Sequence, residues 1–407
     1  MVDKIQIEEW VAKGTITSEQ ASKMLVDSSA FKKDKSSNRF ISALSTIGAI
    51  LLGLGAILFV SSNWDVLTDV GKTAILVLAT LGAYTLGYFM KYKWQNLPRT
   101  GGALIFLGAL LFGATVFLLA QIYNVNAGNP TLVLIWLVGV LPLVYSLASV
   151  PMAGLSALLF YIWIASYLWE HGSEFGPDLY RTPALYLVAS IALFGFGALH
   201  YLSPKLHKVA RAYRLFGLRL SLASLFVLTF EFFSSGANKG WFGGYRGEAA
   251  YSGEFTIFFA IFAVLAILLS VVSLFFNPAR ADTNSFESSL ALTLAALTTV
   301  FFFFPATSII YSVIFNLALA GVGIGTIYTG YRREDMKVIN AGAFWIALLI
   351  LARYFDFFWD MLSTSVFFMV GGAILILGGI ALERKRRELK ARFNSATPAA
   401  PTNPAIS

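Results

Sequence analysis

Residues 101–122 read GGALIFLGALLFGATVFLLAQI, an uncharged apolar run that is long enough to cross the ~30 Å hydrocarbon core of a membrane as a helix. Comparable apolar runs recur from Ile41 to Leu382 and divide the chain into about twelve predicted spans. The chain is 57% hydrophobic and 13% charged, a composition that soluble proteins rarely have. The sequence therefore predicts an all-α, polytopic transmembrane helix bundle.

The predicted spans are separated by short polar or proline-containing segments. Two divisions are the weakest, the two-residue turn at Val150-Pro151 and the short interruption at Pro305, so about eleven or thirteen spans also fit. An odd number of spans would break the alternation between loops rich in Lys and Arg and loops that carry few. The spans are 41–62, 73–90, 101–122, 131–149, 152–169, 183–203, 213–233, 255–276, 288–304, 308–331, 338–356 and 363–382.

Basic residues mark one side of the membrane. Of the 30 Lys and Arg residues, 24 lie in the two tails and in every second loop, whereas the opposite loops carry few, such as Lys72. The positive-inside rule therefore predicts that both termini are cytoplasmic. The net charge of +8 does not indicate a nucleic-acid partner, because the basic residues are spread over loop ends that face lipid headgroups.

The residues that usually hold metals and cofactors are scarce. The chain has no cysteine, which excludes disulfides and thiolate metal sites, and its three histidines are scattered. No P-loop, GxSxG or HExxH motif occurs. The polar, acidic N-terminus does not resemble a cleavable signal peptide. No catalytic residue, metal or cofactor is therefore predicted, and an integral-membrane enzyme is the third choice of function.

Two polar segments flank the predicted bundle of residues 41–382. Residues 1–40 are expected to form a small cytosolic helical hairpin with a basic linker, in which Thr17 and Gln20 make a capping box at the start of the second helix. A solubilising tail that pairs with nothing is the alternative for this segment. Residues 383–407 are expected to extend the last helix with basic residues and to end in a disordered tail.

The first candidate site is a polar stripe near the outer end of the eleventh span. Arg353 and Asp356 are three residues apart and share a helix face, and Asp360 lies one turn beyond Asp356. Ionisable residues at membrane depth are costly and often functional, so the stripe suggests a substrate or proton site. The alternative is a structural ion pair that holds this span to a neighbour.

The second candidate site follows the third span. Gln121 and Tyr123 come just before a turn that is rich in asparagine, and their side chains suggest an extracytoplasmic pocket. The glycine and proline of the same segment also fit an ordinary turn. We keep both residues with the stripe of Arg353, Asp356 and Asp360 as hypothetical substrate contacts.

Two further groups of residues have simpler explanations. Asn63, Trp64 and Asp65 are typical of a membrane interface, where tryptophan anchors a span and Asn or Asp caps a helix. Arg219 and Glu231 lie in the seventh span and are candidates for pairing inside the membrane. Arg219 is close enough to the cytoplasmic end to snorkel, and Glu231 has Arg353 as a conceivable partner in another span.

Three sequence segments are familiar. Trp10 to Ala21 (WVAKGTITSEQA), Gly48 to Asp65 (GAILLGLGAILFVSSNWD) and Gly113 to Tyr123 (GATVFLLAQIY) resemble the bacterial membrane-protein family DUF2157, a domain of unknown function. The resemblance covers about residues 5–150. It implies a multi-pass protein of the bacterial inner membrane and supplies no activity, so no catalytic role is carried over.

These observations lead to an ordered set of expectations about function. The first is a transporter-like protein that binds a small polar solute or a lipid headgroup. The second is a non-catalytic membrane sensor or scaffold, whose cytosolic N-terminal module docks a protein partner. The lipid bilayer is the one partner that the sequence requires.

Overall fold

A computed structural model gives the fold of the chain. It describes residues 17, 20, 44, 47–48, 51–55, 58, 62, 68–95, 97–126, 128–171, 181–234, 253–275, 281–304, 309–332, 334, 336–358 and 364–395. These residues are almost entirely helical, and no strand occurs among them. The predicted all-α fold is therefore confirmed.

The helices follow one another with short connections. In chain order they are α1 (Asp69–Tyr88, continued by a π-helical turn Phe89–Lys93), α2 (Pro98–Ile122), α3 (Pro130–Leu147), α4 (Val150–Glu170), α5 (Thr182–Leu199), α6 (His207–Leu228), α7 (Glu231–Ser234), α8 (Gly253–Phe275), α9 (Ala281–Phe303), α10 (Ile310–Arg332), α11 (Met336–Phe358) and α12 (Thr364–Ser395).

Ten helical segments of the described residues are long and apolar enough to cross a membrane. They coincide, within a few residues, with ten of the twelve predicted spans. The seventh predicted span corresponds to α6 and α7, which are not among the ten, because α6 carries Arg211, Arg214 and Arg219. The first predicted span, 41–62, is described only in part, with residues 51–55 helical. The chain is a multi-pass membrane protein, and the total of twelve spans stays a prediction.

The chain divides into two compact units, Met1–Glu170 and His171–Ser407. The core of the first unit forms between α1 and α2, where Leu76, Leu107 and Leu111 are buried. These two helices approach so closely that a Cβ on Gly87 would lie 2.8 Å from the carbonyl oxygen of Gly101. Small residues allow such contacts where lipid gives no hydrophobic driving force.

The start of α1 differs from the sequence-based prediction. Lys72 was expected in an outer loop, but it lies in the first turn of α1, where it is buried and pairs with Asp69 at 3.3 Å. Thr68 caps this helix by accepting a hydrogen bond from the Gly71 amide at 3.2 Å. The longer helix explains the change, since the helix begins four residues before the predicted span and brings Lys72 inside it.

The second unit contains α5 to α12. Helices α5 and α6 meet at Gly217, whose hypothetical Cβ would lie 2.7 Å from both Ser190 O and Phe194 N. Phe259 of α8 stacks on Phe302 of α9 with ring centroids 3.7 Å apart. The unit is thus held together by close backbone approaches and by aromatic packing between neighbouring helices.

One part of the N-terminal prediction falls on described residues. The Thr17 amide donates to Gln20 Oε1 at 2.9 Å, and the Gln20 amide donates to Thr17 Oγ1 at 3.2 Å. This reciprocal pair is the predicted capping box. The hairpin as a whole, the basic linker and the tail beyond residue 395 lie outside the described residues.

Candidate functional site

A helix break separates α6 from α7 in the second unit. The Thr229 and Phe230 amides donate to carbonyls only three residues back, those of Phe226 and Val227, at 3.1 and 3.2 Å. The Thr229 hydroxyl also donates to the Phe226 carbonyl at 2.6 Å, which competes with the regular helical pattern. The last turn of α6 is therefore tighter than a regular α-helix and the helix ends there, although this turn contains neither glycine nor proline.

Helix α10 donates hydrogen bonds to the Thr229 carbonyl, which lies at this break. The Ser312 hydroxyl donates to Thr229 O at 2.7 Å, and Asn316 Nδ2 donates to the same oxygen at 2.9 Å. Asn316 Nδ2 also donates to Ser312 O at 2.8 Å. Ser312 and Asn316 are four residues apart, so one face of α10 presents both side chains to the break.

Helix α11 brings an arginine to the same place. Arg353 Nη1 lies 2.7 Å from Asp356 Oδ2, so the predicted ion pair on one helix face is present. Arg353 Nη2 lies 3.5 Å from Thr229 Oγ1, and the guanidinium carbon lies 4.8 Å from the centroid of the Phe230 ring. The side chains of Arg353 and Asp356 are 24% and 40% exposed. We call Thr229, Ser312, Asn316, Arg353 and Asp356 the Arg353 cluster.

The Arg353 cluster keeps two buried atoms without a hydrogen-bond partner. They are Arg353 Nε, which is a donor, and Asn316 Oδ1, which is an acceptor. Both side chains contact Thr229, so the two atoms belong to one polar environment. Buried polar groups in native structures nearly always have a partner, which makes these two an exception that needs an explanation.

A second arginine of this unit has a different environment. Arg214 of α6 is ion-paired and hydrogen-bonded to Glu287 of α9, and the two side chains are 13% and 19% exposed. The Arg214 guanidinium also lies 4.6 Å from the Phe194 ring centroid and 5.6 Å from that of Tyr201. We call these four residues the Arg214 cluster, which joins α5, α6, α9 and the turn after α5.

Sequence reasoning missed several members of both clusters. Thr229, Ser312 and Asn316 carry no charge, and the pairing of Arg214 with Glu287 joins residues that are far apart in the chain. One signal was available: Asn316 is an amide in the middle of the apolar run IIYSVIFNLALAG. An amide at that depth needs a partner or a ligand.

The other predicted site residues have separate positions. Gln121 and Tyr123 lie at the end of α2 in the first unit, where both are exposed, Tyr123 to 75%. In the turn that follows, Asn126 accepts from the Gly128 amide at 3.0 Å and Asn129 from the Thr131 amide at 2.8 Å. These asparagines therefore serve the turn and the cap of α3. A binding role for Gln121 and Tyr123 stays a prediction.

Arg219 and Glu231 are both exposed, on α6 and at the start of α7. The ionic partner of Arg353 is Asp356, and a pairing of Arg353 or Arg219 with Glu231 stays a prediction. Asp360, Asn63, Trp64 and Asp65 lie outside the described residues, so their predicted roles in the stripe and at the interface stay untested.

The chemistry of the Arg353 cluster is that of hydrogen bonding. It offers a guanidinium, an amide, two hydroxyls and one carboxylate, which suits a polar organic group better than a metal ion. Within the described part of the chain, no group of three or more His, Cys, Asp or Glu side chains could hold a metal.

Comparison with known proteins identifies one region of the chain. Residues 8–153 match the model of a family described as "Predicted membrane protein (DUF2157)". No curated protein matches the chain, and no solved structure matches it. The Arg353 cluster lies outside the matched residues. The match confirms the resemblance that the sequence suggested: residues 8–153 are similar to the DUF2157 family of predicted membrane proteins.

Proposed function

We propose that this membrane protein is transporter-like and binds a small polar solute or a lipid headgroup at the Arg353 cluster. The observation that carries the proposal is the pair of buried, unpartnered atoms, Arg353 Nε and Asn316 Oδ1, beside a helix break. Leaving such groups unpaired costs about 1–3 kcal/mol each, so a bound molecule that pairs with them would recover that energy.

The helix break supports the same proposal. Non-helical backbone at membrane depth is tolerated where it is buried in protein or lines a cavity, and transporters use such discontinuous helices to bind substrates. Here the break at Thr229 and Phe230 places a backbone carbonyl, a hydroxyl and the Arg353 guanidinium together. Asp360, four residues after Asp356 in the sequence, is a further proposed contact. Gln121 and Tyr123 are proposed separately as substrate contacts of the first unit.

The proposed orientation follows from charge. We place both termini in the cytoplasm, because the tails and alternate loops carry most of the Lys and Arg residues. A location in the bacterial inner membrane is what the resemblance to the DUF2157 family implies. Arg353 lies in the last two turns of α11, so the cluster faces the extracytoplasmic half of the bilayer. A reporter fused after residue 395 is expected to be active only in the cytoplasm; an active periplasmic reporter would contradict this orientation.

The experiment that tests the proposal is ligand-dependent thermal unfolding of the detergent-purified, full-length protein against a library of metabolites, ions and lipids. A ligand that binds only the folded state raises the unfolding midpoint by mass action. The test variant is Arg353→Ala/Asp356→Ala. The matched control is Arg219→Ala/Glu254→Ala, which removes one cation and one anion from exposed positions.

A midpoint shift that occurs in the wild type and the control, and is lost in the test variant, is the expected result. No shift with any compound, or an equal shift in the test variant, would overturn the proposal and favour a scaffold that acts through residues 1–40. Should the double variant fail to fold, Arg353→Lys keeps a cation beside Asp356 but removes the Nε–H donor, and the same two outcomes apply.

A further inference from the structure

We infer that the group recognised at the Arg353 cluster is electrically neutral and both donates and accepts hydrogen bonds, as a hydroxyl does. This inference rests on the proposed function and deepens it by naming the chemical class of the ligand. The two unpartnered atoms set the requirement: Arg353 Nε needs an acceptor, and Asn316 Oδ1 needs a donor. A hydroxyl group supplies both from a single oxygen atom.

The charge balance of the cluster disfavours an ionic ligand. Asp356 already neutralises Arg353 at 2.7 Å. An anion would have to displace or repel this carboxylate, and a cation would lie against the guanidinium. A neutral group meets neither repulsion, and it leaves the ion pair intact.

The amide and hydroxyl donors of the cluster are already committed. Both hydrogens of Asn316 Nδ2 go to the carbonyls of Thr229 and Ser312, and the Thr229 hydroxyl donates to Phe226 O. The Phe230 ring covers the guanidinium of Arg353 at 4.8 Å. The buried positions left open are therefore Arg353 Nε–H and the Asn316 oxygen, and two such positions favour a small group over an extended one.

Three probes with the same carbon skeleton test this inference. Glycerol is neutral, glycerate is an anion and 3-aminopropane-1,2-diol is a cation, and saturation-transfer difference NMR detects weak binding of each to the full-length protein in lipid nanodiscs. The test variant is Arg353→Lys, which keeps the charge beside Asp356 but lacks Nε–H and the planar fork. The control is Arg219→Lys, the same change at an exposed position of α6.

The expected result is a glycerol signal in the wild type and in Arg219→Lys that falls to the protein-free level in Arg353→Lys. The charged probes should give weaker signals. Stronger binding of glycerate or of the amino-diol, or an unchanged glycerol signal in Arg353→Lys, would overturn the neutral-group inference.

Other outcomes separate this inference from the proposed function. If none of the three probes binds while a library compound still shifts wild-type unfolding through Arg353, the ligand class is wrong and the site stands. If no compound acts at all, water alone occupies the two atoms and both proposals fail.

A lipid and a free solute share this hydroxyl chemistry, and a second arm distinguishes them. Nanodiscs doped with a monoacylglycerol present a neutral glycerol headgroup, and discs with the corresponding fatty-acid methyl ester lack it. Loss of the free-glycerol signal only in the monoacylglycerol discs would identify a lipid headgroup as the occupant. An equal signal in both kinds of disc would identify a free solute.

Discussion

Two arginines of the second unit, Arg214 and Arg353, lie at α-helical positions near opposite ends of the bundle, yet their surroundings differ. Arg214 has its carboxylate partner Glu287 on another helix, and two aromatic rings cover its guanidinium. Arg353 has its carboxylate partner on its own helix and keeps a buried Nε without a partner. The first arrangement links helices, whereas the second leaves hydrogen-bonding capacity for something else.

The difference suggests that the Arg214 cluster and the Arg353 cluster have separate roles within the second unit. An ion pair between helices fixes their relative position, and it is costly to break because the surviving charge is stranded away from water. An ion pair within one helix, whose carboxylate side chain is 40% exposed, does little to fix the positions of neighbouring helices. We therefore expect stability to depend on the Arg214 cluster and ligand binding to depend on the Arg353 cluster.

The largest effect is expected for Glu287→Ala. Removal of this carboxylate leaves Arg214 largely buried without its partner, and the free energy of unfolding should fall by about 3 kcal/mol. Denaturant unfolding of the detergent-purified protein measures the change, with Glu254→Ala, an exposed glutamate at the start of α8, as control. A loss no larger than that of the control would remove the claim that this pair holds the helices together.

A smaller loss is expected where α5 and α6 touch. Gly217→Ala would place a methyl group 2.7 Å from the backbone of α5, and such overpacking costs about 1–3 kcal/mol. Gly321→Ala is the matched control, because no atom lies within 4 Å of its hypothetical Cβ. That change should be neutral or slightly stabilising, since alanine favours helix more than glycine does. Equal unfolding midpoints for the two variants would argue against close packing at Gly217.

The smallest effect on stability is expected for Asp356→Ala. Its carboxylate is 40% exposed, and pairs of this kind contribute about 1 kcal/mol or less. The same unfolding measurement serves here. A loss as large as that of Glu287→Ala would mean that the Arg353 pair is structural, as the alternative interpretation of the polar stripe holds.

The sequence predicts the apolar architecture well and the polar contacts poorly. Apolar length alone locates ten of the spans, and the i, i+3 spacing predicts the pairing of Arg353 with Asp356, because both signals are local. The pairing of Arg214 with Glu287 depends on which helices become neighbours, and no local pattern encodes that. The break at Thr229 escaped notice for a related reason, since an uncharged threonine in an apolar run has no distinctive signal.

The start of α1 also differs from what hydropathy predicts. Lys72 resembles a loop residue by charge, but the cap at Thr68 starts the helix earlier and buries the lysine beside Asp69. Hydropathy averages over a window and therefore places helix starts where apolar residues begin, whereas capping chemistry sets the actual boundary.

Solvent access to the Arg353 cluster distinguishes a transporter-like site from a dry bundle without knowledge of the ligand. The chain has no cysteine, so Asn316→Cys can be labelled in intact cells with a small, membrane-impermeant thiol reagent against a silent background. Ser190→Cys, at a fully buried position of α5, is the control. We predict that Asn316→Cys reacts from the extracytoplasmic side and that Ser190→Cys does not; a folded Asn316→Cys protein that stays unlabelled would contradict the binding site at this cluster.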